Sequence, residues 1–399
     1  MTPNDTKSTV DWLTDGARSA TRPENVLSDL CDRLVHAGIP LWRVAVFVRT
    51  LHPEIVGRRF IWQQGGGVTI TEGLFELLET DQFQNSPFLA VIKLGRSIRR
   101  LLTNRDGPEE FSIYRELRAQ GATDYFATPL IFSDGSVHVA TWSTQQAGGF
   151  TDAQIAGIET IVRPLARVAE IRALQRTATN LLDAYVGHHA GERILAGQIR
   201  RGDTEMIHSV IWLSDMRGFT AVSDRLPPQT LVNLLNRYFD CQVPAIVQYG
   251  GEVLKFIGDG LLAIFPLVNG TAEAHEVCDR ALFAAREAQV NIATIEAPIG
   301  TGPAPGVRFG LALHLGEVLY GNIGSGNRLD FTCIGPAVNL AARLEKLAAS
   351  LGRTIILSAE FAQHSRVDLE LLGEFAVAGF AAAQRTFGLR VDPAGGDHP

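Results

Sequence analysis

Residues 253–265 read VLKFIGDGLLAIF, two apolar runs on either side of a short polar turn. Apolar runs flanking an Asp-Gly pair predict a β-hairpin, and we expect Gly260 to take the positive φ that a tight turn requires. The turn accounts for Asp259, because aspartate is common at such positions. It does not account for Lys255, which lies among apolar neighbours. The hairpin therefore carries two charges, one of which the fold alone does not require.

The hairpin lies within a segment, residues 205–391, whose pattern predicts an α+β domain. An apolar strand at 207–215 precedes it, followed by a helix over 227–249 that has proline near its start. After the hairpin come another helix at about 272–295, further strands, and a helix through AVNLAARLEKLAAS. This order predicts a βαββαβ core with long helices over one face of a mainly antiparallel sheet.

The composition is that of an ordinary globular protein with more than one domain. The 399 residues exceed what one core usually holds, and 46% are hydrophobic while 20% are charged. A net charge of −7 disfavours nucleic acid as a partner. No apolar stretch approaches the roughly 18 to 20 residues that cross a bilayer, and the first residues lack the apolar core of a signal peptide. We therefore expect no membrane association and a cytoplasmic location.

The cysteines indicate free thiols. They are far apart and form no CxxC pair, which disfavours both a disulfide framework and a zinc site. The cysteines are Cys31, Cys241, Cys278 and Cys333.

The amino-terminal part of the chain predicts a second α+β domain. Residues 1–20 are polar and are expected to be flexible. Over 21–150, a helix is followed by strand-like runs with turns between them. This order resembles a GAF- or PAS-type sensor module in architecture, which implies a small-molecule or protein regulator. A plain α+β dimerisation domain is the alternative.

Residues 151–204 predict a signalling helix and a linker. Apolar residues of the helix alternate steps of three and four, a seam that suits a parallel contact between two helices. A helix packed on its own domain is the alternative, and Pro164 is expected to kink or start the helix. The seam consists of Ile171, Leu174, Ala178, Leu181 and Tyr185.

Two aspartates predict a metal site in the carboxy-terminal domain. Asp215 closes the first strand, and the turn after it leads into a helix whose backbone N–H groups favour phosphate. Asp259 follows 44 residues later at the hairpin tip, and the βαββαβ topology brings both carboxylates near one sheet edge. Two such carboxylates suit a pair of Mg²⁺ or Mn²⁺ ions shared with substrate phosphates. The predicted phosphate-binding turn is Gly218, Phe219 and Thr220.

Three stretches together resemble the catalytic domain of the class III nucleotide cyclases. They are LSDMRGFT, LKFIGDGLLAIF and DFTCIGPAVNLAARLE, and the resemblance covers about residues 205–391. It implies a ferredoxin-like unit that works as a head-to-tail homodimer with nucleotide sites shared across the interface. The implied reaction converts ATP to 3′,5′-cyclic AMP and pyrophosphate with two Mg²⁺ or Mn²⁺ ions per active site.

The resemblance also implies roles for individual residues. Asp215 and Asp259 match the metal-binding aspartates, with the Met216 carbonyl as an extra ligand. Lys255 matches the lysine that selects adenine. Thr332 matches the second base-selecting position, where threonine is found in a bacterial subset of adenylate cyclases.

Asn339 and Arg343 match the family's transition-state pair. Their i, i+4 spacing places both on one helix face, where Arg343 would reach the α-phosphate and Asn339 the ribose. Successive strand residues point to opposite faces, so Thr332 and Cys333 cannot both face the base. Cys333 is therefore predicted to be a small buried hydrophobe.

One position departs from the family pattern. Many members carry a triphosphate-contacting lysine where this chain has Ala378, and Arg217 or Arg308 is the expected substitute.

A guanylate cyclase is the alternative with the same chemistry, and Lys255 disfavours it. A catalytically inactive nucleotide-binding signalling module is the alternative from another class.

Overall fold

The computed structural model describes residues 6–103, 111–267, 273–296 and 306–390. The chain divides into two compact units, residues 1–184 and 185–399. The boundary between the units falls inside the predicted connecting segment. Over the described residues, no helix combines the length and the apolar character needed to cross a membrane.

The first unit is an antiparallel sheet with helices. Its described strands run in the spatial order β3-β2-β1-β6-β5-β4. The strands are β1 (Arg43–Arg49), β2 (Ile55–Gln63), β3 (Gly67–Leu74), β4 (Ile98–Leu101), β5 (Asp124–Ile131) and β6 (Val137–Thr144). The helices are α1 (Lys7–Thr14), α2 (Pro23–His36), α3 (Asp81–Gln84), α4 (Pro87–Leu94), α5 (Ser112–Ala119) and α6 (Asp152–Val186), with a 3₁₀ turn at Phe75–Glu79. The GAF or PAS identity of this unit stays a prediction.

The expectation of a flexible segment over residues 1–20 is wrong where the structure describes it. Residues 7–14 form α1, and Leu13, Ala17 and Ala20 are buried in the same core as α2 and the first half of α6. Burial of these few apolar side chains orders a segment whose composition is otherwise polar. Residues 1–5 lie outside the described residues.

Helix α6 behaves differently in its two halves. Ile158, Ile161 and Leu165 of the first half are buried on the unit's own sheet. In the second half Leu174 is 63% exposed and Tyr185 is 81% exposed. The first half thus packs on its own domain, and the second half leaves the predicted apolar seam on the surface. Pro164 lies inside the helix, so the expectation that it could start the helix is wrong.

The second unit is built on a longer, mainly antiparallel sheet. Its described strands run in the order β13-β14-β12-β10-β7-β9-β8, with β11 paired to β10 and only β12 parallel to β10. The strands are β7 (Thr204–Met216), β8 (Glu252–Ile257), β9 (Gly260–Pro266), β10 (Phe309–Ser325), β11 (Arg328–Ile334), β12 (Ile355–Ser358), β13 (Leu369–Phe375) and β14 (Gln384–Leu389). The helices are α7 (His188–Leu195), α8 (Phe219–Ser223), α9 (Pro228–Asp240), α10 (Val243–Gln248), α11 (Ala274–Ile292), α12 (Pro336–Ser350) and α13 (Ala359–His364).

The predicted ferredoxin-like βαββαβ core is confirmed. Its elements follow the order β7, α9 with α10, β8, β9, α11, β10. The helices α9, α10 and α11 bury their apolar residues against one sheet face, where Trp212 and Leu313 also point. Helix α12 packs on the opposite face against Ala312, so the expectation of long helices over a single face is wrong for α12.

The helix expected over 227–249 is two helices. Helix α9 ends at Asp240 and α10 begins at Val243. Pro244 lacks an N–H, and its ring would clash with the carbonyl four residues earlier, at Asp240. The break therefore has a local cause that is visible in the sequence.

Candidate active site

The register between β7 and β9 brings the two predicted metal-binding aspartates together. Ser214 pairs with Leu261, so the next residue of β7, Asp215, meets the start of β9 beside Asp259. Burial, the charge of Asp259 and a hydrogen bond with Asp259 raise the pKa of the Asp215 carboxyl to about 6. The two carboxyl groups thus lie within hydrogen-bonding reach of each other.

The hairpin turn differs from the expected one. Ile257 pairs with Gly260, so the two-residue loop is Gly258-Asp259, and the positive φ of +64° belongs to Gly258. A glycine with positive φ at the first loop position is what a type II′ turn requires. Gly260 has another role, since a Cβ there would lie 3.1 Å from the Ser214 carbonyl oxygen and 3.3 Å from Asp215 Oδ1. Its lack of a side chain allows the hairpin tip to approach Asp215.

The donor atoms at this edge suit a hard divalent cation. Carboxylate and carbonyl oxygens are the ligands that Mg²⁺ and Mn²⁺ prefer. Met216 is 4% exposed as a whole residue and packs in the core, and its thioether is a poor ligand for such a cation, so its backbone carbonyl is the donor that it can offer. No group of three or more His, Cys, Asp or Glu residues in the described ranges is arranged to hold a metal. Substrate phosphates and water would therefore complete the coordination of a cation held here.

The predicted phosphate-binding turn follows directly. Gly218 has φ +71° and precedes α8, which is only five residues long. Its carbonyl accepts hydrogen bonds from the N–H groups of Ala221 and Val222. Gly218 and Thr220 are exposed, whereas Phe219 packs partly against the core. The turn thus presents backbone to solvent next to the aspartate pair.

An ion pair between Arg217 and Glu345 of α12 lies near the aspartates. Arg217 Nη1 lies 2.9 Å from Glu345 Oε1, and Arg217 Nη2 donates to the Glu345 carbonyl at 3.2 Å. Burial raises the pKa of the Glu345 carboxyl, and Arg217 opposes that shift. Because Arg217 is paired with Glu345, it is poorly placed to replace the triphosphate-contacting lysine that is absent at Ala378. Sequence reasoning missed this role of Glu345, which lies 128 residues from Arg217 in the chain.

Gly310 makes room for this ion pair, and its replacement tests the pair. A Cβ at Gly310 would lie 1.8 Å from Arg217 Nη2 and 2.5 Å from Glu345 Oε1. We expect Gly310→Ala to expel the guanidinium, leave Glu345 buried without its partner, and lower the free energy of unfolding by about 1–3 kcal/mol. Urea unfolding measures this. The control is Gly326→Ala, whose Cβ would meet no atom within 4 Å; equal stability of the two variants would contradict the expectation.

The predicted base-selecting residues lie on β8 and β11. Lys255 follows an irregularity in the β8–β9 register, and its charge opposes the rise to about 11 that burial causes in the pKa of Cys333. Cys333 is 3% exposed in an apolar cluster with Tyr320 and Phe331, so its prediction as a small buried hydrophobe is confirmed. Thr332 is equally buried, and its hydroxyl has no hydrogen-bond partner in the described structure.

Asn339 and Arg343 lie away from the aspartate pair. Both are exposed on α12, one helical turn apart. Glu345, which contacts the Asp215 region, is two residues after Arg343 and thus about 200° around the helix. A single chain therefore unites Asp215 with Asp259 but presents Asn339 and Arg343 on another surface.

The part of the chain that forms this site is similar to known proteins. The family described as "Adenylate and Guanylate cyclase catalytic domain" matches residues 204–390. Over this range, just under half of the chain, the second unit is similar to a cyclase catalytic domain. The predicted resemblance to the class III cyclases is thereby confirmed, and the matched range differs by one residue at each end from the predicted 205–391.

Similar proteins include adenylate and guanylate cyclases. An adenylate cyclase of Anabaena cylindrica is 34% identical over 152 residues, which are 37% of this chain and 29% of that protein. The chain thus spans less than a third of that relative's length. A solved bacterial light-regulated adenylyl cyclase is 29% identical, covering 46% of this chain and 91% of its own, with a TM-score of 0.39. The guanylyl cyclase Cya2 is 26% identical, covering 46% and 92%, with a TM-score of 0.40.

Proposed function

We propose that this protein is an adenylate cyclase that converts ATP to 3′,5′-cyclic AMP and pyrophosphate at sites shared by two copies of the cyclase domain. The observation that carries the proposal is the convergence of the Asp215 and Asp259 carboxyls at one sheet edge of a cyclase domain. A pair of adjacent carboxylates is electrostatically unfavourable without a cation, and a nucleotide triphosphate brings one with it.

Asp215, Asp259 and the Met216 carbonyl would hold two Mg²⁺ or Mn²⁺ ions. When bound, these ions acidify the ribose 3′-hydroxyl and offset the negative charge of the phosphates. The 3′-oxygen attacks the α-phosphorus in line, and the bond to pyrophosphate breaks. The Arg343 guanidinium donates to the α-phosphate as negative charge grows there, and the Asn339 amide orients the ribose. Loss of such a donor typically costs about 10²- to 10³-fold in rate.

The placement of these groups supports a homodimer. Asn339 and Arg343 project from the exposed side of α12, whereas the aspartates lie at the edge that Glu345 contacts. A second copy can bring its Asn339 and Arg343 to the first copy's aspartates. The exposed seam on α6, which includes Leu174, offers a further surface for pairing two copies.

Adenine is favoured over guanine by Lys255. Its ammonium can donate to N1 of adenine, which accepts a hydrogen bond, whereas N1 of guanine carries a hydrogen. The unpaired hydroxyl of Thr332 can accept from the adenine amino group, which would satisfy a buried polar atom. A guanylate cyclase remains the second candidate, because its chemistry is the same and only the base differs.

Reversing the charge at Lys255 is expected to weaken the preference for ATP. Lys255→Glu should lower kcat/KM for ATP about 10²-fold while changing that for GTP less, since the glutamate leaves adenine N1 without a donor. Initial rates with each nucleotide measure this. The control is Lys93→Glu, the same charge change at an exposed residue of the first unit. An unchanged ATP to GTP ratio would refute the assignment of Lys255.

Arg308 is the better substitute for the cation absent at Ala378. It is exposed at the start of β10, and its carbonyl accepts from the Arg217 N–H at 2.8 Å, close to Asp215. We expect Arg308→Ala to raise KM for ATP about tenfold, as a charge-assisted contact to phosphate is lost. Arg366→Ala, at an exposed arginine before β13, is the control. A KM that changes equally in both variants would count against Arg308.

The decisive experiment incubates the full chain with ATP and Mg²⁺ or Mn²⁺, and measures cyclic AMP and pyrophosphate in equal amounts. GTP is tested in parallel, and chelation of the cation should abolish turnover. Faster formation of cyclic GMP would favour the guanylate cyclase. Nucleotide binding without product from either substrate would favour an inactive signalling module.

The continuity of α6, which runs from the first unit to Val186, supports regulation by that unit. We propose that a regulator of the first unit acts through this helix on how two cyclase domains close. A chain lacking residues 1–180 should then differ from the full chain in activity or dimerisation. If both properties are unchanged, the proposal is wrong.

A further inference from the structure

The first unit contains a cavity of about 370 Å³ between its sheet and its helices. Strands β1 to β3 form one wall, and α2 and α6 form the other. Eleven of the seventeen lining residues are apolar, including Val46, Phe60, Leu165 and Val168. A cavity of this size and lining falls in the range of small-molecule sites.

The remaining lining is strongly basic. Arg22, Arg58, Arg172 and Arg176 line the cavity, against a single acidic residue, Glu24. This concentration of positive charge contrasts with the chain's net charge of −7. Apolar walls with a basic rim match a ligand that has an apolar body and an anionic end.

Arg58 identifies where the anionic end would bind. It lies on the β2 face that also carries Phe60, and its side chain is 23% exposed. Arg58 Nη2 pairs with Glu72 at 2.5 Å, whereas Nε is buried and has no hydrogen-bond partner among the described residues. Arg172 is held nearby, because its Nη2 donates to the Ala20 carbonyl at 2.9 Å. The Arg58 and Arg172 guanidinium groups thus both line the cavity, where their N–H groups can donate to an anion.

We propose that this cavity binds an apolar monocarboxylic acid, with its hydrocarbon body against Val46, Phe60 and Leu165 and its carboxylate at Arg58 and Arg172. A neutral apolar ligand would bring no anion for the four lining arginines to bind. A small anion would leave the apolar walls unfilled. An apolar monocarboxylic acid matches both the arginines and the apolar walls of the cavity.

Calorimetric titration of the full chain with decanoate tests the proposal. We expect saturable binding of one decanoate per chain, with binding of decanol and of butyrate each at least about tenfold weaker, because each lacks one half of the recognition. Equal affinity for decanoate and decanol would overturn the role of the arginines. The absence of saturable decanoate binding would overturn the site.

Variants locate the binding. Arg58→Gln should weaken decanoate binding about tenfold, and Ala173→Phe should abolish it by filling the cavity. The control is Arg115→Gln, an exposed arginine on α5 outside the lining. Thermal unfolding checks that each variant folds, and decanoate should raise the midpoint of the native chain but not that of Ala173→Phe. Undiminished binding to Ala173→Phe would place decanoate elsewhere and refute the proposal.

Helix α6 links this site to the rest of the chain. Its residues Leu165, Val168 and Arg172 form part of the cavity, and the same helix continues to Val186. Occupancy by an acid is thus an input to the helix through which we propose regulation. This consequence rests on the proposed function, whereas the binding itself does not.

Discussion

Replacing Asp215 with asparagine is expected to reduce cyclic AMP formation on the order of 10³-fold while leaving the fold intact. The amide cannot supply the negative charge that holds a divalent cation. The same change removes the repulsion between Asp215 and Asp259, which contributes to the raised pKa of Asp215. Without metal, the thermal midpoint of the variant should therefore equal or exceed that of the native chain by a few degrees.

This combination separates a functional role from a structural one. A structural aspartate would lower the midpoint on replacement, together with the activity. Product formation and thermal unfolding, measured on the same preparation, report both. The control is Asp224→Asn, an exposed aspartate directly after α8. Intact turnover in the Asp215 variant would remove the main support for the proposed function.

Mixing two inactive chains is expected to restore activity. Asp215→Asn damages the aspartate pair, and Arg343→Ala damages the surface of α12. In a mixed dimer, one site combines the intact pair of one copy with the intact Arg343 of the other. Random pairing in equal amounts makes half of the dimers mixed, each with one of two sites intact, so about a quarter of the native activity should return.

The matched control mixes Asp215→Asn with Asp259→Asn. Both changes damage the same pair, so neither site of a mixed dimer is intact and no activity should return. Restoration in this control would show that Asp215 and Asp259 of one site come from different copies, which would contradict their pairing within one chain. No restoration with Arg343→Ala would show that one copy supplies the complete site. The exposed placement of Arg343 opposite Glu345 on α12 argues for the shared arrangement.

The fold of the second unit could be predicted largely from local patterns. Alternating apolar runs and helical periodicity indicated β7, the β8–β9 hairpin, α11 and α12, because each element buries one face. The break between α9 and α10 was not predicted, although Pro244 near the start of α10 indicates it. The sheet face that α12 covers was also missed, since an amphipathic pattern gives the buried side of a helix but not the partner that covers it.

The site was predicted in part. The residues Asp215 and Asp259 could be singled out because a carboxylate at the end of an apolar strand and another in a tight turn are separately visible. Glu345 could not, because a glutamate in an amphipathic helix is usually solvated. Its burial beside Arg217 depends on Gly310, whose missing side chain leaves the space. No single stretch of sequence indicates that Arg217, Gly310 and Glu345 come together.

The sequence by itself determined which functional groups the site can use. They are two aspartates, a lysine in an apolar strand, and an asparagine and arginine one helical turn apart. Local periodicity also determined which segments became strands and helices. The predicted topology also placed Asp215 and Asp259 at one sheet edge, which the strand register bears out. Only the tertiary structure decided that Arg343 turns away from both, because the rotation of a helix arises from packing between distant segments. The same packing produced the basic-rimmed cavity of the first unit, whose arginines are scattered over more than 150 residues of sequence.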